Sequence, residues 1–166
     1  MSLRVWGRGL AAAAAAMLAG AVGAAPLPLP GNDILLTAIA GADNLLFITQ
    51  DNAAAAVPGA APNGMQIRID GDRNGGAADW RDRLMGQAGL AAGELVQRGF
   101  GNRLDLTVTG SDNLFAMSQT GTANRIAGTV TGHFNQAAVT QAGTGNSLSF
   151  SQTGAGNMIV VSQGGW

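Results

Sequence analysis

The chain has 166 residues, a formal net charge of −1 and only 11% charged residues, with no lysine, cysteine or tyrosine. That charged fraction lies far below the roughly 25% of ordinary soluble domains, and no arginine cluster exists to hold phosphates, which argues against a nucleic-acid partner. The absence of cysteine fits an exported protein that needs no disulfides.

The first segment reads as a secretory signal peptide over residues 1–24. Arg4 and Arg8 precede an apolar, alanine-rich run, Gly9–Gly20, and small residues follow at Val22, Gly23, Ala24 and Ala25. The run is short for a bilayer span, and Pro26, Pro28 and Pro30 come directly after it. No other stretch is apolar enough to span, so no membrane span is expected once the signal is removed.

Residues 25–98 form an irregular N-terminal region. Pro26–Pro30 should be extended and exposed. Asn32–Ala38, Asn44–Gln50 and Asn63–Ile69 each begin with asparagine and alternate apolar with other residues, as a half-buried strand does. Insertions at 51–62 and 75–90 interrupt them. Asp79–Val96 mixes helix formers with alternating charge, so it reads as a short helix or as an excursion, and Ala91–Gln97 as a degenerate strand.

Residues 99–166 hold a regular array. Asn102, Asn113, Asn124, Asn135, Asn146 and Asn157 recur every eleven residues, each three positions after a glycine: Gly99, Gly110, Gly121, Gly132, Gly143 and Gly154. Six positions after asparagine stands Gln119, Gln141, Gln152 or Gln163, with Val108 and Val130 in the other two units. A fixed period marks a repeat architecture. Between landmarks, the second, fourth and sixth positions after asparagine are mostly apolar and the odd ones small and polar, which is a strand with one buried face. The four residues around each glycine suit a tight turn with a positive-φ position.

Two such units make a 22-residue rung. Stacked rungs give an all-β, parallel two-sheet β-solenoid whose repeated amides lie above one another as ladders. Three uninterrupted rungs are legible over 99–163, with fragments upstream. Gly128 at an inward position and valine at two glutamine positions break the pattern.

Q-x-G-x-x-N followed by alternating apolar positions and a closing glutamine resembles the curlin repeat. It stands here as Gln119–Asn124, Gln141–Asn146 and Gln152–Asn157, with Gln97–Asn102 as a further junction. The resemblance implies a secreted subunit of extracellular, curli-like cross-β amyloid fibres serving cell adhesion and biofilm matrix. It also implies the partners: further copies of the chain, a second curlin subunit, and an outer-membrane secretion channel with accessory factors.

No residue pattern points to catalysis, a metal or a cofactor. His133 is the single histidine and has no triad-like partners in the repeat. Asp70, Asp72 and Asn74 superficially suggest a calcium loop, but its glycine and closing acid are misplaced. Two rival readings remain: a monomeric β-solenoid adhesin that binds a glycan, and an ice-binding protein. The second rests on Thr107, Ser118, Thr129, Thr140, Ser151 and Ser162, all five positions after asparagine. Because successive units alternate sides, this ladder is expected to be split between the two sheets.

Overall fold

The computed structural model describes residues 2–6, 32–51, 61–76 and 89–165, all in strands and their connections. Eleven strands follow in order: β1 Ser2–Trp6, β2 Asn32–Ala40, β3 Leu45–Asp51, β4 Asn63–Asp70, β5 Glu94–Phe100, β6 Arg103–Ser111, β7 Leu114–Thr122, β8 Arg125–His133, β9 Gln136–Thr144, β10 Ser147–Ala155 and β11 Met158–Gly164. Odd strands form a six-stranded sheet and even strands a five-stranded one, in the orders β1-β3-β5-β7-β9-β11 and β10-β8-β6-β4-β2. All pairings from β2 onward are parallel, and β1 lies antiparallel along β3. The fold is the expected two-sheet, parallel β-solenoid.

The stack has five rungs, β2/β3 to β10/β11, rather than three and fragments. The strands on either side of both insertions pair in parallel register with their neighbours in each sheet. Ladder partners lie 22 residues apart in the regular array and 39 apart where the second insertion intervenes. Loop-closure entropy grows only with the logarithm of loop length, so a longer excursion costs little once the next rung is in place. The first rung absorbs one extra residue as a bulge between Leu36 and Ala38, which shifts the register of β2 against β4. Of the Asp79–Val96 segment, Glu94–Val96 belongs to β5. The rest of its helix-or-excursion reading falls mainly outside the described residues, as do most of the signal peptide and Pro26–Pro30.

Alternation places one apolar set between the sheets. Met65, Ile67, Ile69, Leu104, Leu106, Val108, Ile126 and Val130 come from the five-stranded sheet, and Leu46, Ile48, Leu95, Phe115, Met117, Ala137 and Val139 from the other. Gly128 has a packing reason: a Cβ there would lie 2.6 Å from the Phe150 ring, its neighbour in register. The missing side chain makes room for that aromatic on the next rung. At the two ends the interior is only half covered. Ile34, Leu36, Leu148, Phe150, Ile159 and Val161 are partly buried, whereas their counterparts in the middle rungs are fully buried.

A second apolar layer lies outside the six-stranded sheet. Leu114, Ala116 and Ala138 point away from the interior yet are buried, with Ala92 and Leu90 packed over them. The same two outward columns run on to Met158 and Val160, which are 54% and 51% exposed.

Candidate functional site: amide ladders along the stack

Each corner of the stack is a G-x-x-N turn, and the backbone explains the sequence. The glycines sit at φ of about +100°, among them Gly99, Gly110, Gly121, Gly132, Gly143 and Gly154. A Cβ at Gly99, Gly110, Gly121, Gly132 or Gly143 would also collide with a carbonyl of the next rung. Only glycine combines that φ with that close approach. The residue before asparagine is left-handed too, but near +56°, where Asp43, Arg73, Asp112, Ala123 and Phe134 are tolerated. This explains why the first turn position is invariably glycine in the array while the third varies.

The turns place asparagine side chains in two axial ladders. One joins Asn44, Asn74, Asn113, Asn135 and Asn157. The other joins Asn63, Asn102, Asn124 and Asn146. At each step the backbone N–H of one asparagine donates to Oδ1 of the asparagine one rung earlier, and from Asn74, Asn113, Asn124, Asn135, Asn146 and Asn157 the Nδ2 donates to the same oxygen, for example Asn124 to Asn102 at 3.1 Å each. Nδ2 also donates to the glycine carbonyl of the next rung, as Asn124 does to Gly143 at 2.9 Å. In the middle rungs the ladder asparagines are buried, so this completeness matters: an unpaired buried amide costs about 1–3 kcal/mol.

Glutamine forms a third ladder with the opposite polarity. Gln50 donates to Gln97, Gln97 to Gln119, Gln119 to Gln141 and Gln141 to Gln163, at 2.8, 2.8, 3.1 and 2.7 Å. The Nε2 of Gln50, Gln97, Gln119 and Gln141 also reaches a carbonyl near the start of a facing strand, as Gln119 does to Arg103 and Gln141 to Arg125. The ladder therefore also ties the two sheets together.

Gln152 stands outside this ladder. It lies in the other sheet, where its neighbour in register is Val130. Its Nε2 bonds the Gln136 carbonyl, and its Oε1 is buried without a partner. Replacing it by valine would continue the column of Val108 and Val130. That change removes an orphan acceptor and one hydrogen bond together, so stability is expected to shift by no more than about 1 kcal/mol in urea denaturation.

Asn74 was legible in the sequence as Gly71-Asp-Arg-Asn74, a G-x-x-N unit, but the strand expected after it begins only beyond the second insertion. The structure places Asn74 in the ladder, with Asp72 Oδ1 accepting the Ala42 N–H at 2.7 Å. Among the described residues, no group of three or more His, Cys, Asp or Glu is placed to hold a metal. His133 ends β8 on the surface, in register with Ser111 and Ala155. Beside it, Arg73 pairs with both carboxylate oxygens of Asp112 at 2.8 Å. That hydrogen bond first, and then the Asp112 charge, raise the Arg73 pKa above its ordinary value.

The ends of the ladders carry unlike groups. At the β10/β11 end, the Oδ1 atoms of Asn146 and Asn157 receive no donor, and Gln163 Nε2 has no acceptor, among the described residues. At the opposite end, the backbone N–H of Asn44 has no partner of the kind that every later asparagine in its ladder finds. No protein-family model, no curated protein and no solved structure matches this chain.

Proposed function

We propose that the chain is a secreted structural subunit of extracellular, curli-like amyloid fibres that serve cell adhesion and biofilm matrix, built by stacking copies end to end. The observation that carries the reading is the complementarity of the two ends. The Oδ1 of Asn157 is the acceptor, and the Asn44 N–H the donor, of one step in the same ladder. Half-covered Leu148, Phe150, Ile159 and Val161 close one end and Ile34 and Leu36 the other, so a joint between copies would bury what each copy exposes. Head-to-tail addition continues each column donor to acceptor, whereas a head-to-head joint that matches column to column sets acceptor against acceptor in the asparagine ladders and donor against donor in the glutamine ladder.

Growth is then templated. The edge strand β11 offers its free backbone groups to an incoming chain. Backbone bonds, amide ladders and stacked apolar residues offset the entropy of ordering each new rung. β1 occupies the outer edge of β3, and on this reading it belongs to the signal peptide, so its removal opens that edge. A second curlin subunit, a secretion channel and accessory factors complete the proposed system, by resemblance alone. The reaction is assembly, not catalysis.

The chain beginning at Ala25, diluted from denaturant at tens of micromolar, is expected to pass from coil to β-rich fibres with cross-β diffraction. Val160→Pro removes a backbone donor from the growing edge, since the N–H groups of β11 alternate and Gly165 donates back to Ala142 of β9, and it should strongly slow elongation from preformed seeds. Soluble monomer persisting for days would sink the fibre reading. Unchanged growth with Val160→Pro would show that β11 is not the docking edge.

A further inference from the structure

We propose that the outer face of the five-stranded sheet, over β6, β8 and β10, is an ice-binding surface. The sequence distributes Thr and Ser through every unit, but the two sheets receive them unequally. Thr107, Thr129 and Ser151 lie in one registered column and Thr109, Thr131 and Thr153 in the next. The equivalent columns of the other sheet hold Ser118, Thr140 and Ser162, then Thr120, Ala142 and Gly164. Five threonines and one serine thus form a grid of two columns by three strands on one face.

The grid has the attributes that recognition of a water lattice needs. Its six hydroxyls are exposed or half-exposed and take no part in hydrogen bonds within the protein among the described residues. Adjacent strands set the hydroxyls about 4.8 Å apart in one direction, and alternate residues set them roughly 6.6 Å apart in the other. These two repeats are close to those of oxygen atoms on a prism plane of ice. A single hydroxyl cannot distinguish ice from liquid water, because it exchanges one water hydrogen bond for another. A rigid, uncharged, commensurate array can, since its positions are fixed before binding and little freedom is lost on contact. Charge stops at its borders: Arg68 and Asp70 continue the columns into β4, and the Arg125–Asp105 pair lies beside it. Stacked copies would repeat the grid along one face and add avidity.

The test is partition of the full chain into slowly grown ice, beside an inert protein, with thermal hysteresis measured on the same sample. Enrichment in ice and faceted crystals are expected. Thr129→Lys with Thr131→Lys, and separately Thr109→Lys with Thr153→Lys, should lower enrichment to that of the inert protein. Thr120→Lys with Thr140→Lys, on the other sheet, should retain it. Circular dichroism establishes that each variant keeps its β-structure. Exclusion of the unmodified chain from ice overturns the proposal, as does equal partition of grid and control variants or binding of the grid to a neutral polysaccharide instead. Fibre growth is followed separately, so neither result bears on the assembly reading.

Discussion

Gly121→Ala should cost roughly 3–5 kcal/mol and move the urea midpoint of β-structure loss sharply downward. Two terms add. At φ +112° an alanine is strained by about 1–3 kcal/mol. Its Cβ would also overlap the Gly143 carbonyl of the next rung, and that oxygen accepts the Asn124 amide at 2.9 Å. Moving the carbonyl breaks a ladder bond whose donor is buried, and the opposing atom is backbone, so no side chain can swing aside.

Two comparisons separate these terms. Gly154 has nearly the same φ, +101°, but the nearest atom to its added Cβ is Asn157 Nδ2 at 3.7 Å. Gly154→Ala should therefore show the strain alone. Gly145 occupies the third turn position, where Ala123 already stands in the preceding unit of the same corner, and its Cβ meets nothing. Gly145→Ala should cost about 1 kcal/mol. Equal midpoints for Gly121→Ala and Gly154→Ala would remove close rung approach as the cause. In fibres the contrast should vanish if copies stack as proposed, because the next copy then places a carbonyl over Gly154. Gly154→Ala should leave the soluble chain nearly intact and yet retard growth.

Gln119→Leu is the second large expected effect, about 3–4 kcal/mol. Leucine has similar volume, so no cavity opens. The loss is polar: Gln141 Oε1 loses its donor, the Arg103 carbonyl loses its side-chain donor, and Gln97 Nε2 keeps only the Gly64 carbonyl. Each buried group left unpaired costs about 1–3 kcal/mol. A double-mutant cycle with Gln141→Leu is the sharper measurement. Once both amides are gone the bond between them leaves no orphan, so the double variant should be less destabilised than the two single losses added together, by about 1 kcal/mol or more. Strict additivity would mean the ladder contributes no coupling. The near-neutral Gln152→Val completes the series: the same residue type, at the same place in the repeat, differs because of its neighbours on the adjacent rung.

The legible part of this protein is what a unit contains within its own eleven residues. Gly121-Thr-Ala-Asn124 specifies a corner because the backbone there must turn through left-handed φ values. The alternation of Ile126 and Val130 with Arg125, Ala127 and Thr129 specifies which face is buried, because successive side chains of a strand point to opposite sides. Those two local rules gave the strands, the corners, the two-sheet solenoid and the existence of amide ladders.

What passes between rungs was decided by the tertiary structure. Stacking contacts join residues 22 positions apart, or 39 across an insertion, and alternate units enter different sheets. That alternation joins Gln119, Gln141 and Gln163 to Gln50 and Gln97 and leaves Gln152 among aliphatic neighbours. It sets Phe150 over Gly128, draws Asn74 into a ladder from beside an insertion, and gathers the threonines on one face. None of these is visible in a single unit, because an amide's partner, a ring's space and a surface's regularity belong to the stack. The energy that fixes them is earned only when the second rung closes over the first.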